Sequence, residues 1–486
     1  AETPFDMAVA VVGVLIGIEV ARRVVGVVFV ILGTVLLLYG VFVNYMPDLF
    51  AHAGDTFPAV CTSIFYKSDG VFGIMANVLA TYVILFVLFG AFLNRSGAQR
   101  FFIDFPLAAV GHRIGGPAKV SVIASALFGS ISGSAIANTV STGTFTIPMM
   151  KKAGFRPHIA GGIEPAASIA GMFMPPIMGA GGFIMAELTG MPYSHIMLVA
   201  IFPAIMYVFS VFVMVHYEAK KHNIRGEKSE HSAMSILKTE WYYTLPLIVI
   251  TVLMLMGYSP GYSAIIGIVS CIVISWFHKE TRIDLKGFVE ASRGGTENSL
   301  KIGATVGVIG IIIGVLTYSG LVLTFADIVI ELAGGSLVMT IFLIALASLV
   351  LGMGVPVTAA YLITAVVAVP ALIHLGVNEI AAHMIVYWLS QDSNITPPVC
   401  IAAFAGATIA KANMWRTAFA AFKFAKFLYL GPFLFGYVPA FSLNGSAMDI
   451  VKAFILIIIG TWAYSYFLSF IWFRPLMGIF KKAPVN

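Results

Sequence analysis

Charge is rationed along this chain. Uncharged runs recur at Val24–Met46, Gly70–Asn94, Val120–Met150, Ile196–Val215, Trp241–Tyr258, Ile302–Ala326, Leu337–Ile373, Phe427–Met448 and Ala453–Phe473. About 20 helical residues span a hydrocarbon core of about 30 Å. The runs therefore predict on the order of a dozen helical membrane elements. A barrel would show alternating segments of about ten residues instead, and that alternation is absent. Two opening helices, Phe5–Ala21 and Val24–Met46, are split by Arg22 and Arg23 and lead into a polar loop, Pro47–Asp69. The most polar stretch, 216-HYEAKKHNIRGEKSEHSAMSILK-238, divides the body into halves as a surface connector. Residues 95–119 and 278–301 mix Arg or Lys with Phe and Leu at helical spacing, the pattern of helices lying in the interface plane.

Composition sharpens the class. The 486 residues are 59% hydrophobic and 10% charged, with a mean hydropathy of +0.97. Soluble domains carry roughly 25% charged residues, so the chain reads as an integral protein of the lipid bilayer. The formal charge of +6 calls for no nucleic-acid partner, because Lys and Arg concentrate in connectors, where they meet headgroups. Cys61, Cys271 and Cys400 are far apart and form no CxxC pair, which argues against a disulfide scaffold or a zinc site. The chain opens on Ala1 rather than Met, so sequence upstream is expected, and no signal peptide is recognisable.

The two halves share a frame. Pro148 precedes Pro175-Pro176 by 27 residues, and Pro370 precedes Pro397-Pro398 by the same 27. At the resulting shift of 222, Thr142 meets Thr364, Gly154 meets Gly376, Ala160 meets Ala382, Ile163 meets Ile385 and Ser168 meets Ser390. Within this frame sit four interruptions. The uncharged run 120–150 is too long for one crossing, and its centre, 129-GSISGSAIAN-138, is too polar for lipid. Non-helical backbone is tolerated at membrane depth only when buried in protein or lining a cavity. Two half-helices turning at Gly129–Asn138 fit, and a second hairpin turning at Gly352–Thr358 fits the run 337–373. Proline removes an amide donor and clashes with the preceding turn, so 171-GMFMPPIMGAGG-182 and 393-SNITPPVCIAAF-404 break helices near their centres.

The expected fold is an all-α polytopic membrane protein of two inverted-topology repeats, each with a re-entrant hairpin and a Pro-Pro-broken helix. The expected divisions are 1–69, N-terminal scaffold helices and polar loop; 70–217, first repeat with hairpin 120–150 and broken helix 159–190; 218–240, connector; 241–301, scaffold helices and interfacial arm; 302–442, second repeat with hairpin 337–373 and broken helix 378–411; and 443–486, a C-terminal membrane helix. Matching interruptions in two halves point to a transporter's midplane site.

The chemistry follows from the interruptions. Free carbonyls at a break, with Ser, Thr and Asn oxygens beside them, suit a hard cation such as Na⁺. The positive ends of half-helices favour a carboxylate. Ser132, Ser134 and Asn138 supply such oxygens at the first turn, and Thr358, beside Gly352, Gly354 and Pro356, is their counterpart. The run 390-SQDSNITPP-398 adds Asp392, Ser393, Asn394 and Thr396, and an acid at that depth is a functional candidate by default. Glu164 and Glu187 are further acids in membrane segments. Small polar residues that merely permit close helix packing, and an interfacial Glu187, are the bland readings of the same positions.

The motifs GSISGSAIANTVSTGTFTIPMM, MPPIMGAGGFIMAE, GMGVPVTAAY and SQDSNITPPVCIAAFAGA resemble the large membrane subunit of tripartite ATP-independent periplasmic (TRAP) transporters. The stretch 122-VIASALFGSISGS-134, with Glu164 and Glu187, looks most like the TAXI branch with its fused permeases. The resemblance covers the chain from about Phe72 onward, and the opening helices look like the linker that follows the small subunit in fused forms. It implies secondary import of organic acids across the prokaryotic inner membrane by an elevator-like movement. The partners it implies are an extracytoplasmic solute-binding protein and a small membrane subunit, fused or separate. The resemblance carries Na⁺ sites onto Ser132, Ser134, Asn138, Gly171, Gly352, Gly354, Thr358, Ser393 and Asn394, and Gly133, Met172, Pro356 and Asp392 (where other members can carry different residues) complete the expected ion-binding set. The substrate set is Ser130, Ser134, Thr358, Asn394 and Thr396. The substrate class is a carboxylate such as a dicarboxylate, α-ketoglutarate or glutamate.

Two alternatives stand beside Na⁺ coupling. Protons can drive the same transport through Glu164, Asp392 or Glu187. An intramembrane hydrolase would need a nucleophile-base set or a zinc motif, and no HExxH occurs; nor does the GxxxxGK[ST] loop of an ATP-driven pump.

Overall fold

The computed structural model describes residues 3–47, 54–226, 229 and 232–472. These residues are helical apart from their connectors and contain no strand. Nine of the described helices are long and apolar enough to cross a membrane. They form two compact units, one from Ala1–Gly97, Ala180–Ile196 and Leu245–Ser393, the other from Ala98–Gly179, Met197–Thr244 and Asn394–Asn486.

In the first unit, the 34-residue helix Leu285–Tyr318 packs on Pro4–Val24, Val27–Phe42, Phe57–Tyr66 and Ile84–Arg95. Its glycine positions allow this. A Cβ on Gly310 would lie 2.3 Å from the Val71 backbone, and one on Gly307 would lie 3.0 Å from the Gly17 Cα. Between membrane helices, where lipid tails are as apolar as leucine, such close backbone approach supplies the van der Waals contact that holds them together.

Helix Pro157–Phe173 is the centre of the second unit, buried at every position from Ala160 to Phe173. Its surface is largely Ala, Gly and Ile, as a helix surrounded by other helices requires, with Glu164 and Ser168 as the buried polar exceptions. It is flanked by Gly116–Ser132 and Ala135–Lys152, and by Ile401–Ala410 and Met414–Phe424.

Gly116–Ser132 and Ala135–Lys152 are the two arms of the first hairpin. The first arm ends at Gly133, whose φ of 62° is left-handed, and Ser134 caps the second arm by accepting from the Ala137 amide at 3.3 Å. Glycine adopts that conformation without steric cost, and serine satisfies a helix-start amide. The turn is therefore only Gly133 and Ser134. Asn138, expected at the turn itself, lies in the first turn of the second arm. The second hairpin joins Leu337–Leu351 to Val357–His374 through residues 352–356.

Three pairs of helix starts are separated by 222 residues. Helices starting at Ala135, Pro157 and Gly179 correspond to helices starting at Val357, Glu379 and Ile401. Pro175-Pro176 and Pro397-Pro398 are both cis, and Met178 (φ 57°) and Cys400 (φ 49°) both take the left-handed conformation just before the helix resumes.

Three expected boundaries change. The loop 47–69 contains helix Phe57–Tyr66, which buries Val60, Cys61 and Ile64; residues 48–53 lie outside the described set. The expected boundary at 301/302 falls inside Leu285–Tyr318, so 285–301 is the solvated start of a long helix rather than a separate interfacial arm. Asp284 caps that helix on the Gly287 amide at 2.7 Å, no proline interrupts it, and Arg293 pairs with Glu297 one turn on at 2.8 Å. The boundary at 217/218 likewise falls inside helix Tyr193–Lys221, and the connector carries a further helix, Ala233–Glu240. Of the C-terminal segment 443–486, helix Ala447–Phe467 is described and residues 473–486 lie outside the described set.

Candidate functional site

In the second unit, the first hairpin meets the helix that carries the first Pro-Pro break. A Cβ on Gly171 would lie 2.2 Å from the Cα and C of Gly129, so the two backbones touch. Further along, a Cβ on the hairpin's Gly133 would lie 3.3 Å from the Cα of Gly179, and one on Gly179 would meet the Met172 methyl at 3.1 Å. Hairpin turn and helix break are thus packed together. This contact gathers Gly133, Gly171 and Met172 of the expected ion set.

Asn138 is the decisive polar group there. It is fully buried, and its amide nitrogen donates to the carbonyls of Ser125 at 2.8 Å and Ser168 at 3.3 Å. With both N–H groups used, Oδ1 is a buried acceptor with no hydrogen-bond partner among the described residues. A buried amide oxygen left unbonded costs of order 1–3 kcal/mol, so the position fits a group that arrives with a ligand. A hard cation takes oxygen donors of this kind. Ser130 and Ser132 bond backbone oxygens at Leu127 (2.7 Å) and Ser134 (3.4 Å), which leaves their hydroxyl oxygens as acceptors. Asn394 is buried in this unit too, and Thr396 shares a hydrogen bond with the Tyr429 hydroxyl.

The first unit contains the second hairpin and the residues leading into the second break. A Cβ on Gly352 would lie 2.4 Å from the Cβ of Ser393, so this hairpin also touches its broken helix. Asp392, in the short 3-10 turn Asp392–Asn394, is 2% exposed, and its Oδ1 has no hydrogen-bond partner among the described residues. The Ser393 backbone amide donates to this carboxyl group, and Oδ1 is the oxygen left over. Ser348, whose carbonyl would lie 3.1 Å from a Gly352 Cβ, also has a buried hydroxyl without a partner among the described residues. Thr358 and Pro356 are half-buried, and a Cβ on Gly354 would collide with Val28. Glu187 is exposed near the end of helix Gly179–Thr189 and accepts from Asn77 at 2.9 Å, which removes the burial that motivates a proton role.

Glu164 is fully buried in the second unit among hydroxyls. Ser125, Thr142 and Ser168 donate to Oε1, and Ser121 and Thr146 donate to Oε2. Ser121 and Ser125 belong to the first hairpin arm, Thr142 and Thr146 to the second, and Ser168 follows Glu164 by one turn. The sequence reading missed these five residues. Their signal is legible, because each hydroxyl pair, and the Glu164/Ser168 pair, is spaced i, i+4 and so lies on one helix face.

Comparison with known proteins places this geometry. The family model described as "Tripartite ATP-independent periplasmic transporter, DctM component" matches residues 12–441. The chain belongs to this family. It is the large membrane subunit of a TRAP transporter, a transporter rather than an enzyme, and a multi-pass protein of the inner membrane. Members of the family work with a small membrane subunit and a periplasmic binding protein. The C4-dicarboxylate TRAP transporter large permease protein DctM of Pseudomonas aeruginosa is 25% identical over 79% of this chain and 91% of its own. The sialic acid TRAP transporter permease protein SiaT of Haemophilus influenzae is 25% identical over 67% of this chain and 52% of its own, so the match spans about half of that longer protein. Among solved structures, the Alcanivorax borkumensis YdaH transporter matches 86% of this chain and 98% of its own with a TM-score of 0.55 at 17% identity, a likeness of fold alone.

Proposed function

We propose that this TRAP large subunit imports a small carboxylate driven by a Na⁺ gradient, on substrate handed over by an extracytoplasmic binding protein. The observation that carries the reading is Asn138, whose buried Oδ1 lacks a partner while both its amide hydrogens are fixed. In this reading the first ion site draws on Ser132, Gly133, Ser134, Asn138, Gly171 and Met172. A second ion site draws on Gly352, Gly354, Pro356, Thr358, Asp392 and Ser393 of the first unit, and Asn394 is a further ion-site candidate within the second unit. Two relatives are named for sialic acid and C4-dicarboxylates. The shared chemistry of those substrates is a carboxylate, and the helix start at Ala135, in the second unit, suits one. The substrate-site candidates are Ser130, Ser134, Asn394 and Thr396 in the second unit and Thr358 in the first. The correspondence of elements at a shift of 222 supports a pair of repeats, and their inverted topology and elevator movement are part of the proposal. The TAXI branch, α-ketoglutarate or glutamate as substrate, and an upstream fused small subunit belong to the same proposal, on the motifs quoted above.

A second reading has one observation in its favour: the Asp392 carboxyl group is buried, its Oδ1 has no hydrogen-bond partner among the described residues, and an acid so placed can carry a proton. Proteoliposomes given the matching binding protein, a panel of labelled acids and either a Na⁺ or an H⁺ gradient separate the two. Accumulation is expected with the Na⁺ gradient alone. Accumulation that survives Na⁺ removal and collapses with the proton gradient transfers the coupling to protons. Asn138→Ala removes a direct cation ligand and is expected to raise the Na⁺ concentration for half-maximal uptake about tenfold or more, Asn394→Ala by less. Folded variants with wild-type Na⁺ dependence would take both residues out of the ion sites.

A further inference from the structure

The hydroxyl cage around Glu164 and the amide of Asn138 are one network. Ser125 donates its hydroxyl to Glu164 and accepts Asn138 at its carbonyl; Ser168 does the same. The two residues that hold Asn138 are therefore both held by Glu164. Glu164 also ties Ser121 and Ser125 of the first hairpin arm to Thr142 and Thr146 of the second. Five donors face a carboxylate with about four lone-pair positions, and all seven residues are at most 1% exposed. No arginine, lysine or histidine is among these partners.

We propose that Glu164 is a positioning residue for the ion site: it fixes the Ser125 and Ser168 carbonyls, and through them turns the Asn138 oxygen, rather than the nitrogen, towards the cation. The inference rests on the Na⁺ reading above. A side-chain amide presents an acceptor or two donors depending on its rotation, and only the acceptor binds Na⁺. The carbonyls of Ser125 and Ser168 decide that rotation, since they can accept but not donate. Glu164 holds both serines in register while the hairpin arms and helix Pro157–Phe173 stay together. A carboxylate spans both arms with two oxygens; an alanine would span neither.

The role differs from proton carriage and from simple core stability in what it predicts. The measurement is the melting temperature of purified full-length protein in detergent as Na⁺ replaces choline at constant ionic strength, with no substrate present. Wild type is expected to be stabilised with a defined half-maximal Na⁺ concentration. Glu164→Gln is expected to raise that concentration about tenfold, the loss of one to two hydrogen bonds to a charged group, and Ser125→Ala about threefold. In an Asn138→Ala background, Glu164→Gln is expected to change it less than about twofold, since residues acting through one another are not additive. If Glu164→Gln does not purify folded, Ser125→Ala alone and in the Asn138→Ala background carries the same comparison. A fall in melting temperature with the half-maximal Na⁺ concentration unchanged makes Glu164 a stability residue and overturns the proposal, as do additive effects. Wild type stabilised by Na⁺, with Glu164→Gln and Ser125→Ala keeping the wild-type half-maximal Na⁺ concentration, sinks this inference alone. Wild type indifferent to Na⁺ sinks the Na⁺ reading and this inference with it.

Discussion

Gly171→Ala is expected to cripple Na⁺ binding while Gly460→Ala leaves the protein as it was. The single methyl group at Gly171 would sit 2.2 Å from the Cα and C of Gly129. Backbone atoms cannot rotate aside as a side-chain terminus can, so the hairpin arm and helix Pro157–Phe173 must separate. Overpacking of this kind costs about 1–3 kcal/mol in stability. The functional loss is expected to be larger, because the amide nitrogen of Asn138 lies 2.5 Å from where a Cβ on Gly129 would stand. Spreading the crossing therefore moves the ligand itself. Gly460, in helix Ala447–Phe467, has nothing within 4 Å of its would-be Cβ. Alanine there is expected to be neutral or stabilising by up to about 1 kcal/mol through helix propensity. Melting temperature and its Na⁺ dependence, read side by side for both variants, test the pair. A Gly171→Ala protein with wild-type values of both would mean the hairpin is not packed on that helix.

The second crossing allows a sharper version. There the close partners are Gly352 and Ser393, with a would-be Cβ 2.4 Å from the serine Cβ. Ser393 occupies the position that Gly171 takes 222 residues earlier. Gly352→Ala is thus expected to destabilise, and adding Ser393→Gly to restore most of the loss, since one methylene-sized volume leaves as another enters. Failure of the second change to rescue the first would separate those two segments.

What was legible in the sequence was whatever departs from lipid's own rules. Uncharged runs gave the membrane segments, because charge at that depth is costly. Proline pairs gave the breaks, since a missing amide cannot be hidden. The turn intervals were legible for the same reason: Gly133 and Ser134 are types a helix interior disfavours. Three features were not. Asn138 lay within the predicted interval, yet its place inside the second arm depends on which serine caps, and Ser132 and Ser134 are equivalent caps on paper. The long helix Leu285–Tyr318 was divided because its first half is charged, although Arg293–Glu297 spacing is that of an exposed helix face. The Glu164 cage needed three helices to be assembled before Ser121, Ser125, Thr142, Thr146 and Ser168 could be seen as one shell. Each pair is periodic, but a Ser or Thr pair at that spacing occurs often in membrane helices as a packing device, and only tertiary contact separates the two uses.

Asp392→Asn is expected to have the largest effect of any single polar substitution, and its form decides the coupling ion. Asparagine keeps the shape and one oxygen of a buried carboxyl group whose Oδ1 has no partner among the described residues, and it cannot ionise. Folding should therefore survive, since a neutral group is cheaper to bury than an ion. If a cation sits against that oxygen, the lost attraction is on the order of 4 kcal/mol at 4 Å with an effective dielectric of 20. The Na⁺ concentration for half-maximal uptake is then expected to rise by about two to three orders of magnitude, since each 1.4 kcal/mol is about tenfold. Saturating Na⁺ should restore part of the rate, because the pocket is emptied rather than deformed. A proton carrier behaves differently at the same position. Asparagine would then mimic the permanently protonated form: exchange of labelled for unlabelled substrate continues, accumulation no longer responds to an imposed pH gradient, and the Na⁺ dependence of what remains is that of wild type. Uptake and counterflow in the same proteoliposomes distinguish these outcomes, and a variant that retains both wild-type accumulation and wild-type Na⁺ dependence removes Asp392 from coupling altogether.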